Sequence, residues 1–342
     1  MNRGAEGGHP AGPDPTPLMQ LSTAYWGAQT LLTANRIGLF ECLAQGPKSG
    51  PDVAAELGTR PRETELLLKA CTALGLLQAV DGKYRNSGLS QAFLVPGSPG
   101  YMGNAIRYSD NLYATWGNLE QALRDGTPPM PTETYTGDDP ERTRAFVYGM
   151  HDRAMGIGRA MVGLVDLGGR RQMLDVGGGP GTYSALFAQR YPELHSRVMD
   201  LPGVVAIANE IIASMGVADR VTTQAGDYLQ DGYPGGNDVV LISGVFHRES
   251  EAGCRELIDR ARASLVPGGV LIVGDVFADE GGVSPPFATL FGLNMMLTAP
   301  EGGVHTDAEV AGWMAEAGFT GIDTRPLPPP MPHRLVVGEK GV

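Results

Sequence analysis

Leu174–Tyr183 reads LDVGGGPGTY, and two readings of it are open. Gly177, Gly178, Gly179 and Gly181 follow the apolar run MLDV and precede a helix-like stretch, GTYSALFAQRYP. Glycine permits a sharp turn and lets a ligand approach the backbone closely. The start of the following helix offers unpaired N–H groups. Such a loop cradles either the phosphates of a dinucleotide or another nucleotide-like cofactor. Working outward, the runs QMLDVGGG, SRVMDLP, RVTTQAGDYL, DVVLISGVFH and GVLIVGDVF read as strands. Helical stretches such as EAGCRELIDRARASLVPGG lie between them. This alternation predicts an α/β domain, a parallel sheet with helices on both faces. Ligands of such sheets bind beyond the carboxyl ends of the strands.

The neighbours of the loop choose between the two cofactor classes. A dinucleotide site shows G-x-G-x-x-G with the pyrophosphate on a helix N-terminus. Here the spacing is G-G-G-x-G, and no Lys or Arg nearby serves a phosphate. Asp175 ends the first strand, Asp200 ends the second 21 residues past Gly179, and Asp227 ends the third. Asp200 is placed to chelate two ribose hydroxyls, and Asp227 to accept from an adenine amino group. An acidic, phosphate-poor site suits a cationic nucleoside. S-adenosylmethionine has a sulfonium, a ribose and an adenine, and no phosphate.

The first part of the chain has a different grammar. LMQLSTAYWGAQTLLTANRIGLFECLAQ is helical, SGPDVAAELG is a short helix capped by Ser49, and TRPRETELLLKACTALGLL is a helix capped by Thr59. LQAVDGKYRNS reads as a hairpin turning at Asp81-Gly82. Helices followed by a hairpin is the winged-helix order. The helix that would read DNA mixes Glu63 and Glu65 with Arg60, Arg62 and Lys69, which favours a structural, dimerising role over a nucleic-acid sensor. The chain divides into a disordered tail (1–16), a winged-helix domain (17–100), a helical connector (101–168) and a cofactor domain (169–342).

Bulk properties narrow the partners. The 342 residues are 42 % hydrophobic and 19 % charged, enough for a buried core. A net charge of −12 argues against a nucleic-acid surface. Cys42, Cys71 and Cys254 are widely spaced in apolar contexts and read as reduced thiols of a cytoplasmic protein. No run reaches the roughly 18 apolar residues of a membrane span, and the opening stretch lacks the apolar core of a secretory leader.

Taken in order, LDVGGGPG, MDLPGVV, AGDYL, LISGVFH and LVPGGVLIV resemble the successive signatures of class I S-adenosylmethionine-dependent methyltransferases. The resemblance is nearest to the plant-type small-molecule O-methyltransferases and their bacterial natural-product relatives, and it spans about residues 18–337. It implies a Rossmann-like catalytic domain and an intertwined homodimer through the N-terminal domain. It implies that Asp175, Gly177, Gly178, Gly179, Asp200, Leu201, Gly226, Asp227, Tyr228 and Ser243 bind the cofactor. It implies that His247 in GVFHRESEAG takes the proton of a phenolic hydroxyl on a small-molecule natural product. By position, Glu280 and Glu309 match the two carboxylates that orient that histidine in the family. Where the family has His-Asp-Trp, this chain has His247-Arg248-Glu249, so the role of the two following residues is lost or moved.

The acceptor side stays open. Phe146, Met150, His151, Met155, Phe287, Phe291, Asn294, Met295 and Leu297, with His305 at the rim, are the candidate pocket residues. Phe and Met suit a flat apolar substrate, and Asn294 is placed to orient a substrate oxygen. A second reading is a C-methyltransferase of a 2-oxo acid, in which His247, Glu251 and His305 hold a divalent metal and Arg107 or Arg153 pairs with the substrate carboxylate. The leading reading expects no metal.

Overall fold

A computed structural model describes residues 13–130 and 139–341. Most of the expected tail, and part of the loop expected between residues 124 and 140, lie outside the described residues. The chain forms two compact units, Met1–Tyr101 and Met102–Val342. The helices at 101–168 fall within the second unit.

The first unit comprises α1 (Thr16–Arg36), α2 (Leu39–Cys42), α3 (Gly50–Leu57), α4 (Pro61–Ala73), a hairpin of β1 (Leu77–Val80) and β2 (Lys83–Asn86), and α5 (Gly88–Phe93). Ser49 caps α3 by accepting from the Asp52 N–H at 3.3 Å. Thr59 does not cap α4: that place falls to Arg60, and the Thr59 hydroxyl bonds Thr64 Oγ1 at 2.6 Å instead. The hairpin turns on Asp81 (φ 50°) and Gly82 (φ 73°), the paired left-handed geometry of a two-residue turn matched to strand twist. Leu39, Phe40, Val53, Leu68, Cys71 and Leu77 form the core, while α1 leaves Leu18, Leu21, Tyr25 and Trp26 exposed.

The second unit opens with α6 (Gly103–Trp116), α7 (Leu119–Asp125) and the long α8 (Pro140–Leu164). The α/β part follows: β3 (Gln172–Val176), α9 (Thr182–Arg190), β4 (His195–Asp200), α10 (Pro202–Ser214), β5 (Val221–Ala225) and β6 (Asn237–Ser243). A 3-10 turn (Phe246–Arg248), α11 (Glu251–Ser264), β7 (Leu265–Val276), α12 (Pro286–Met296), α13 (Asp307–Glu316), β8 (Phe319–Pro326) and β9 (His333–Lys340) complete it. The seven strands are ordered β5-β4-β3-β6-β7-β9-β8. The first five are parallel, but β9 runs antiparallel to both β7 and β8, so the sheet is mixed rather than wholly parallel. The closing hairpin inserts its second strand, which hydropathy alone does not reveal.

Alternation along the strands explains the two helical layers. Leu174, Val176, Val240, Ile242, Leu271 and Val273 face Leu257 and Ile258 of α11 and Val310 and Met314 of α13. Met173, Leu241 and Ile272 face the other way, onto Met161 of α8 and Phe187 of α9. With both faces covered, the strands are apolar almost throughout. From β3 the chain steps outward to β4 and β5, then returns to β6 on the other side. That reversal opens a crevice at the carboxyl ends of β3, β4 and β6.

Candidate active site

Three loops meet at that crevice. Gly177 (φ +62°) and Gly179 (φ +52°) leave β3 in the left-handed region. A Cβ on Gly177 would stand 2.7 Å from Val245 Cγ2, so only glycine fits there. The Gly177 N–H donates to the Met199 carbonyl at 2.8 Å, and the Gly226 N–H to the Asp200 carbonyl at 2.9 Å. Asp200 fastens the glycine loop: Oδ2 accepts from the Gly179 N–H and Oδ1 from the Leu201 N–H, both at 2.7 Å. Each oxygen keeps lone pairs for a further donor such as a ribose hydroxyl. Asp227 Oδ1 accepts from the Leu229 N–H at 2.8 Å.

Asp175 sits beneath the loop, fully buried, with Oδ2 accepting from Ser184 Oγ at 2.6 Å. Its Oδ1 has no partner among the described residues. Burial pushes its carboxyl up to about 7, against the pull of Ser184, and the nearby Asp200 charge adds to the rise. Burial also raises Asp200, against its two backbone N–H donors and Arg248. Three carboxylates around glycine backbone, with unmet demand for positive charge, fit a cationic nucleoside better than a pyrophosphate. His151, expected among the acceptor-binding residues, instead places Nδ1 2.7 Å from Oγ1 of Thr182, the first residue after the glycine loop.

His247 lies in the 3-10 turn that follows β6. Its Nδ1 is 2.7 Å from Oδ1 of Asp275, near the end of β7. Asp275 is 2 % exposed, and its Oδ1 also accepts from the Val276 N–H at 2.7 Å. Burial works to raise the Asp275 carboxyl, but the His247 charge and hydrogen bond and the Val276 N–H together hold it below the ordinary carboxylate value. An ionised Asp275 assigns the proton to His247 Nδ1 and leaves the Nε2 lone pair available as a base. Phe291 of α12 stands edge-on to the imidazole at 4.9 Å, and Phe287 stacks on Phe291.

The expected orienting carboxylates lie elsewhere. Glu309 is spent on the start of α13, where Oε2 accepts from the Thr306 N–H at 2.8 Å and from Thr306 Oγ1 at 2.9 Å. Glu280 is exposed in the turn beyond β7. Sequence reasoning missed Asp275. Its signal was an acid closing the apolar run GVLIVGDV. The Arg248-Glu249 replacement also gains a place: Tyr228 donates its hydroxyl to Glu249 Oε1 at 2.7 Å.

The metal trio does not assemble. Among the described residues no three His, Cys, Asp or Glu groups converge as a metal site. Glu251 pairs with Arg255 at 2.8 Å. His305 turns from the crevice, with Nε2 3.0 Å from the Glu249 carbonyl oxygen and 3.5 Å from Cys254 Sγ, and packs on Trp313. Around His247, α12 joins α6 through Trp116, whose Nε1–H donates to Asn294 Oδ1 at 2.9 Å. Trp116 was not foreseen, and it turns Asn294 toward a protein partner. Phe146 of α8 meets Tyr108 of α6 edge-on at 5.5 Å, and Met295 is buried.

The chain is similar to known proteins along most of its length. The O-methyltransferase domain family matches residues 116–320, and the O-methyltransferase dimerisation domain matches residues 19–96. The 3-hydroxy-5-methyl-1-naphthoate 3-O-methyltransferase of Streptomyces sahachiroi is 35 % identical over 330 residues, 95 % of each chain. The tetracenomycin polyketide synthesis 8-O-methyltransferase of Streptomyces glaucescens is 32 % identical, covering 95 % of this chain and 97 % of its own. Human N-acetylserotonin methyltransferase, solved in complex with S-adenosylmethionine, superposes with a TM-score of 0.88 at 26 % identity, covering 98 % of this chain and 100 % of its own.

Proposed function

The chain belongs to the S-adenosylmethionine-dependent O-methyltransferases that carry a dimerisation domain, and from that membership we propose that His247 is the general base for methylation of a phenolic hydroxyl on a small-molecule natural product. The observation that carries this reading is the His247–Asp275 pair at the mouth of the cofactor crevice. The C-methyltransferase reading has no support from the relatives or from the donor geometry.

Asp200, Leu201, Gly226, Asp227 and Tyr228 would hold the ribose and adenine, and Gly177–Gly179 with Ser243 the amino-acid end, with Asp175 beneath. When bound, S-adenosylmethionine supplies a methyl group made electrophilic by its sulfonium. His247 Nε2 takes the hydroxyl proton as the acceptor oxygen bonds to the methyl carbon and the carbon–sulfur bond breaks. Asp275 steadies the imidazolium that forms. Phe291 holds the ring in place and, with Phe146 and Met150, gives the acceptor an apolar surface that excludes water. The aromatic hydroxyl named for the Streptomyces sahachiroi relative supports the acceptor class.

The exposed apolar residues of α1 and the matched dimerisation domain support a homodimer. Three free cysteines, and no described helix long and apolar enough to cross a membrane, support a cytoplasmic enzyme. The test is a screen of hydroxylated aromatics with the methyl donor, reading methylated product by mass. His247→Ala should lower kcat by about two to four orders of magnitude while S-adenosylhomocysteine still binds. Wild-type turnover in that variant removes His247 from the chemistry.

A further inference from the structure

α8 carries a guanidinium, that of Arg153, with no acid opposite it among the described residues. Arg153 Nη2 donates to Ser109 Oγ at 2.9 Å, and its guanidinium carbon lies 5.1 Å from the centroid of the Tyr108 ring, both on α6. Among the described residues Arg153 forms no ion pair. The adjacent carboxylate is committed elsewhere: Asp152 accepts from the N–H groups of Asn104 at 2.9 Å and Ala105 at 3.3 Å, at the start of α6. Burial lowers the Arg153 pKa with no carboxylate to restore it, whereas Asp279 and Asp307 raise Arg334 despite its burial. A guanidinium presents five N–H donors in a planar fork, and one of them is used here. Partial burial of such a charge is unfavourable until an anion pairs with it.

Its surroundings tie it to the acceptor side of the site. Tyr108 lies against Arg153 and also against Phe146, two turns earlier on α8. Ser109 and Trp116 share a face of α6, seven residues apart, and Trp116 reaches Asn294 of α12. Phe291, three residues before Asn294, touches His247. These contacts link Arg153 of α8, through α6 and α12, to His247.

We propose that Arg153 pairs with a carboxylate on the methyl acceptor, so that the substrate is a hydroxylated aromatic acid that presents its hydroxyl to His247. This rests on the hydroxyl-transfer reading above. The fork matches the two oxygens of a carboxylate in a way that lysine's point charge does not.

The test compares 6-hydroxy-2-naphthoate with its methyl ester, in turnover and in calorimetric binding alongside S-adenosylhomocysteine. The wild type should favour the acid by about tenfold or more in kcat/KM, the size of one lost charge-assisted contact. Arg153→Gln should bring that ratio near one and weaken binding of the acid by about tenfold, while retained S-adenosylhomocysteine binding shows an intact fold. Arg153→Lys should keep part of the preference. An unchanged ratio in Arg153→Gln, or a wild type that treats acid and ester alike, overturns the assignment and leaves hydroxyl transfer standing. Arg153-dependent binding of the acid without methylation supports the carboxylate site and overturns the phenol reading instead. Absence of both binding and turnover overturns the assignment.

Discussion

His247 Nδ1 lies 2.7 Å from Asp275 Oδ1, two residues 28 positions apart that the sheet brings together at the ends of neighbouring strands β6 and β7. The carboxylate fixes both the tautomer and the tilt of the ring. Asparagine keeps the shape but offers Nδ1 an amide that supports either tautomer. Asp275→Asn should therefore lower kcat by about two orders of magnitude or more with little change in cofactor KM. Steady-state kinetics with each substrate varied in turn would show it, and unaltered kcat would remove Asp275 from the mechanism.

Glu309 should behave oppositely. Its carboxylate completes a capping box with Thr306 at the start of α13. Glu309→Gln should leave kcat within about twofold, and Glu309→Ala should cost about 1 kcal/mol of stability. Urea unfolding beside the activity assay separates the two. A large kcat loss at full stability would return Glu309 to the active site.

Asp175 makes stability depend on pH. A carboxyl raised in the folded state binds its proton more tightly there than in the unfolded chain. Its contribution is thus present at low pH and is lost as pH rises from about 4, its unfolded value, through about 7, its folded value. The Asp175→Asn protein, free of cofactor, should gain stability relative to wild type as pH rises across that window, by about 2–4 kcal/mol. Thermal or urea unfolding at several pH values measures the difference. A constant difference means that the Asp175 carboxyl titrates alike in the folded and unfolded chain.

The glycine loop, the strand-end aspartates and the turn that carries His247 were legible because each is a contiguous stretch. Gly177, Gly178 and Gly179 sit beside a strand, Asp200 ends the next one, and His247 follows β6 within four residues. Local backbone demands and strand ends leave marks within a short window. The glycine loop, the α/β alternation and the helices-then-hairpin order were readable for that reason.

Partnerships between distant residues left no such mark. Asp275, Glu280 and Glu309 are equivalent acids on paper. Strand register gives the first to His247, a helix start claims the third, and the second is left in solvent. Likewise, Trp116 meets Asn294 across 178 residues, and β9 enters the sheet antiparallel because the closing hairpin folds back between β7 and β8. Sequence alone determined the fold class and the methyl donor, and it singled out His247 as the candidate base. The tertiary structure decided which carboxylate pairs with His247 and left the Arg153 guanidinium without an acid partner among the described residues, since both depend on packing between elements that hydropathy and spacing do not encode.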